Sequence, residues 1–163
     1  MNIHPLIVHF PIALLVMYAL FELLPLERWY PRAAWADIKA ILVCFGGVGL
    51  LAALLTGQVA ESLPLGRSAA SILHLHKFFA ESSTAIFGII ALGYLMRWAA
   101  SKHGFTFGTS FSKFMQRRWV AVLFAFVGLI VLSLTGTFGA MIVYGPDGDF
   151  VTQIVAIIFK PLL

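Results

Sequence analysis

Apolar residues gather along this chain in four long runs, without the every-second-residue alternation of a strand. The first run extends from about Pro5 to Leu24 and closes at Pro25; it contains His9 and Pro11 and carries Glu22 near its end. The second, Ala40 to Ala60, has no charged residue, and the third, Phe78 to Met96, holds one acid, Glu81. The fourth, Trp119 to Tyr144, is again free of charge. About 20 apolar residues cross the hydrocarbon core of a bilayer, so each run predicts a spanning helix. The predicted spans are 5–24, 40–60, 75–96 and 119–144. No basic residue precedes the first run and no small-residue cleavage site follows it, so it reads as a retained helix and not a signal peptide. After Tyr144 the segment Gly145-Pro146-Asp147-Gly148 predicts a turn, and 150–163 is too short to span. That tail predicts a short interfacial helix, or an apolar segment packed on a partner subunit. The expected fold is all-α: one domain over 1–163, an integral membrane four-helix bundle.

Composition agrees with lipid as the solvent. Of the 163 residues 61% are hydrophobic and 11% charged, against about 25% charged in soluble domains. This excludes a water-soluble monomer and most soluble enzymes. Charge then sets direction. The first loop holds Arg28, Arg32 and Lys39, and the third holds Arg97, Lys102, Lys113, Arg117 and Arg118. The opposite side holds Arg67, Lys77 and Lys160. Basic residues collect in cytoplasmic loops, so both termini are expected on the outer, periplasmic side of a bacterial inner membrane. The net charge of +4 therefore reflects topology and does not point to nucleic acid. Phe105, Phe107, Phe111 and Phe114 among the basic residues of the third loop suit a segment lying on the anionic inner leaflet. The one cysteine, Cys44, excludes an internal disulfide and an iron–sulfur cluster ligated within this chain.

Four of the five histidines fall at one end of the bundle. His4 and His9 lie at the outer end of the first helix and His74 and His76 at the outer end of the third, whereas His103 is in the third loop. Ionisable groups at membrane depth are costly and point to function. On a helix His4 and His9 point about 140° apart, and His74 and His76 about 160° apart. At most one of each pair faces a single site, and His9 opposite His76 is the simplest pairing, since both lie just inside the apolar runs. Two helices each offering an imidazole is how a bundle holds a b-type haem. Gly136 and Gly139 provide small residues at that depth, and Arg67 and Lys77 provide cations for haem propionates. Gly46, Gly47 and Gly49 read as close helix packing. Glu81 is a carrier of protons or a partner for a ligand imidazole, or pairs at headgroup level.

One segment also resembles a known family. His4-Pro5-Leu6-Ile7-Val8-His9-Phe10-Pro11-Ile12-Ala13-Leu14 is similar to the opening of the bacterial membrane proteins known as domain of unknown function 2231. Thr56-Gly57, His76-Lys77, and Thr135-Gly136 with Gly139, Val143, Tyr144 and Gly145 extend the likeness over most of the chain. The resemblance implies four helices and a haem- or metal-linked redox role, with His4, His9 and His76 as the matching histidines. His74 lies outside the pattern, and Ala140 and Met141 stand where a glycine and an acid are expected.

The expected function is a cytochrome b subunit that passes electrons near the periplasmic face, without independent enzymatic activity. His9 and His76 would ligate the iron of one haem, with His4 and His74 as ligands of a second. Expected partners are other membrane or periplasmic redox subunits of a respiratory chain, quinone and the lipid bilayer. Two other readings stand beside it: a cofactor-free structural or assembly subunit, and a copper or zinc site built from several imidazoles.

Overall fold

A computed structural model describes residues 4–61, 70–104 and 107–162. The helices are α1 (His4–Leu23), α2 (Leu26–Trp29), α3 (Trp35–Glu61), α4 (Ala70–His103), α5 (Thr109–Met115), α6 (Arg118–Tyr144) and α7 (Phe150–Phe159), followed by a 3₁₀ turn over Lys160–Leu162. Among the described residues there is no strand. Four helices, α1, α3, α4 and α6, are long and apolar enough to cross a membrane. They form an all-α bundle in which α1 and α4 each pack on both α3 and α6, so that α1 and α4 stand diagonally across it.

Only 28–33% of each spanning window is buried, yet the exposed positions are apolar. Ile41, Phe45, Val48, Leu51 and Leu55 on α3 are more than half exposed. In water that surface would drive aggregation; in lipid it is the solvated face. The interior is filled by Leu15, Tyr18, Val43, Phe87, Ile90 and Leu132. Close approach of α1 and α3 depends on the absence of side chains: a Cβ at Gly46 would lie 2.6 Å from Leu15, and one at Gly49 2.9 Å from Pro11. Pro11 is buried within a continuous α1.

Several boundaries differ from those predicted. α4 is 34 residues long, about 50 Å at 1.5 Å per residue, against about 30 Å of hydrocarbon. Its polar last turns continue the helix beyond the apolar run until Gly104, at φ +66°, turns the chain. α3 starts at Trp35, whose indole N–H donates to the Tyr30 carbonyl at 2.9 Å. Lys39, expected in the first loop, is therefore helical and 3% exposed. The third loop contains α5, which buries Ser112 and Met115 and leaves Phe114 exposed, as is Phe107 ahead of it; Phe105 lies outside the described residues.

The tail folds onto its own bundle. Asp149 caps α7 by accepting from the N–H of Thr152 at 2.9 Å, while the Thr152 hydroxyl accepts from the N–H of Asp149 at 2.9 Å. Val155 packs with Phe138 and Met141, and Phe159 sits edge-on to the stacked rings of Phe79 and Phe138. The opposite face of the tail, with Phe150, Ile157 and Ile158, is exposed.

Candidate functional site

The histidine end is organised by two equivalent devices. At the start of α1, His4 Nδ1 lies 3.0 Å from the Thr56 hydroxyl near the end of α3. Near the start of α4, His76 Nδ1 lies 3.0 Å from the Thr135 carbonyl on α6. A carbonyl only accepts, so His76 Nδ1 carries the hydrogen. The Thr56 hydroxyl also lies 3.0 and 3.1 Å from the Ala52 and Ala53 carbonyls; when it donates to either, it accepts from His4 and that Nδ1 carries the hydrogen. In that arrangement the neutral ring carries its lone pair on Nε2, as His76 does. Glycines seat both rings: a Cβ at Gly57 would lie 3.3 Å from His4 Cε1, and one at Gly139 3.3 Å from His76 Cε1. A hydrogen bond between Ser83 and Thr135 at 3.1 Å fastens α4 to α6 beside His76. Both imidazoles are part-buried, and they are electrostatic neighbours across the bundle diagonal.

The other predicted residues are placed differently. His9 is exposed, with Nδ1 against the Pro5 carbonyl of its own helix; the inward position on α1 belongs to His4, because α1 stays regular through Pro11 and keeps the two rings apart. His74 is exposed and lines a surface groove of about 640 Å³ with Ser71, Leu75, Phe78 and Leu162. Gly136 faces away from the imidazoles, into a groove of about 440 Å³ between α6 and the start of α7. Lys77 is half-buried beside His76, and Glu81 is exposed. Arg67 lies outside the described residues. Among the described residues no three His, Cys, Asp or Glu side chains come together as a metal-binding set. Among the described residues, His4 and His76 are the two histidines that are part-buried, and His9, His74 and His103 are exposed.

Residues 1–147 match the family described as predicted membrane protein, DUF2231. The chain belongs to the DUF2231 family. The match covers all four spanning helices and ends before α7, and it bears out the resemblance carried by the His4–Leu14 segment. Neither a curated protein nor a solved structure matches the chain.

In this DUF2231 chain a second polar cluster occupies the opposite, basic end. Glu22 of α1 is 2% exposed and accepts from Lys39 of α3 at 3.0 Å and from the Tyr94 hydroxyl of α4 at 3.1 Å. Arg118 at the start of α6 lies 3.7 Å from the same carboxylate. Lys39 also donates to the half-exposed Glu27 at 2.8 Å, and that hydrogen bond holds the Glu27 carboxyl below its usual range. Arg97 stands over the Tyr94 ring and donates to Gln116 at 2.9 Å. Sequence reasoning noted Glu22 and counted Lys39 as a loop cation without joining them. The available signal was an acid at the end of one apolar run and a lysine at the start of the next, both at the same membrane depth.

Proposed function

We propose that this chain is a membrane electron-transfer subunit whose redox group is held by His4 and His76. The observation that carries this reading is the pair of imidazoles on the diagonal helices α1 and α4, each with Nδ1 held by a hydrogen bond, which leaves Nε2 to face a metal. That is the donor set of a bis-histidine b-type haem, and a hydrogen-bonded second nitrogen is how metal-ligating imidazoles are oriented. A bound haem supplies one-electron transfer. The chain's own residues do the rest: Thr56 and Thr135 set ring orientation, Gly57 and Gly139 give the rings space, and Ser83 holds α4 against α6. One haem is assigned, since His9 and His74 point elsewhere.

The gathering of basic residues at the far end supports an inner-membrane orientation with the histidine end toward the periplasm. Electron partners are then membrane or periplasmic redox subunits, or quinone in the lipid. The exposed apolar face of α7 favours assembly into a larger complex.

Reduced-minus-oxidised visible spectra of the purified protein, with metal analysis, test the assignment. Soret and alpha bands are expected in the wild type and in His9→Ala, and are lost in His4→Ala and His76→Ala. A wild type without these bands sinks the haem reading. Copper in place of iron transfers the two imidazoles to a bare copper site, and neither metal leaves the cofactor-free assembly subunit.

A further inference from the structure

The cluster at the basic end has chemistry of its own, independent of the histidines. We infer that Glu22, Lys39, Tyr94 and Tyr18 form a proton-exchange site inside the bundle, reached from the aqueous phase at the basic end through Glu27. Ionisable groups within a membrane bundle are costly, pair with one another and by default mark function, proton relays among them. Here they form a graded chain. The Glu27 side chain is 53% exposed, Lys39 4% and Glu22 3%. The links are 2.8 Å from Lys39 to Glu27, 3.0 Å from Lys39 to Glu22 and 3.1 Å from Tyr94 to Glu22. Such spacing permits transfer between neighbours without large motion.

Tyr18 supplies the second observation. It lies one turn before Glu22 on α1 and is 0% exposed, and its hydroxyl stands beside the Tyr94 hydroxyl and the Glu22 carboxylate without a well-formed hydrogen bond to either. That hydroxyl is in electrostatic reach of both Tyr94 and Glu22. The other charged groups facing the cluster are Arg118, 3.7 Å from Glu22, and Arg97, which stands over Tyr94 and 3.7 Å from Asp37.

In the exchange step Lys39 passes a proton to Glu22 Oε2, so that an N–H bond breaks and an O–H bond forms. Glu27, protonated by hydronium from the aqueous phase at the basic end, passes that proton to the neutral amine and returns to the carboxylate, its O–H bond breaking as the N–H bond forms. The net change is one proton taken up and held on Glu22, with no redox step.

Infrared difference spectra across pH steps, recorded on the full chain in lipid nanodiscs in H₂O and D₂O, test this. A protonated-carboxyl band that shifts in D₂O is expected, kept in Glu81→Gln and lost in Glu22→Gln. In Tyr94→Phe, which removes one hydrogen bond to the carboxylate, the band's midpoint moves by about one pH unit. A band that survives Glu22→Gln, one that disappears in Glu81→Gln, or no such band in the folded wild type overturns the inference. If Glu22→Gln fails to fold, Tyr94→Phe decides, and an unmoved midpoint overturns it.

Discussion

Thr56 and Thr135 do for the two inward histidines what residue type alone could not. A histidine in a sequence has two tautomers and an undefined direction; a hydrogen-bond partner at Nδ1 fixes the direction of both rings, and the Thr135 carbonyl, which only accepts, also fixes the tautomer of His76. The motif pairs Thr56-Gly57 and Thr135-Gly136 were visible in the chain, but their meaning was not. Their threonines bind the rings, and the seating glycines are Gly57 and Gly139. The choice of His4 over His9 was likewise hidden, because helical spacing says that the two diverge and not which one faces in. At the other end, Glu27 carries a pH dependence. Its carboxyl is held below the usual 4.5 by the Lys39 hydrogen bond. The stabilisation is complete above the unfolded-state value and disappears as pH falls through the lower folded-state value. The thermal midpoint in detergent, followed by helical circular dichroism, should therefore decline below about pH 4.5, and less steeply in Glu27→Gln. The difference is small, because water screens a half-exposed pair.

Helices meet closely where the chain has glycine. The expectation that Gly46 and Gly49 serve helix packing holds, and the partners are now specific: Leu15 and the Pro11 ring, both on α1. A proline ring cannot turn aside as a flexible side chain does. Gly49→Val should separate α1 from α3 and cost about 1–3 kcal/mol, read as a lower thermal midpoint in detergent. Gly88→Ala is the control, since a Cβ there meets nothing within 4 Å. The positions of the four spanning elements were legible because about 20 apolar residues admit few other structures. Their ends were not. α3 extends back to include Lys39 and α4 continues past Met96, because helix propensity and paired charges carry a helix beyond its apolar run.

Seen whole, the molecule is apolar outside as well as inside. Leu51 is 55% exposed on α3, and in a water-soluble bundle Leu51→Arg would be harmless. In a bilayer it should cost about 2.5–3.5 kcal/mol on insertion scales. The expected outcome is a lower membrane-integrated fraction in an insertion assay; unchanged integration would mean that this face does not meet lipid. Solvent, fold class, family and the gathering of histidines at one end were determined by the sequence alone, since hydropathy, charge and local motifs are properties of contiguous residues. Only the tertiary structure decided that α1 and α4 are diagonal, that His4 and His76 face inward as a pair, and that Glu22 and Lys39 meet inside the bundle. Those relations depend on the rotation of each helix about its axis. Helices that are apolar on every side leave that rotation unmarked, and packing against the neighbouring helices sets it.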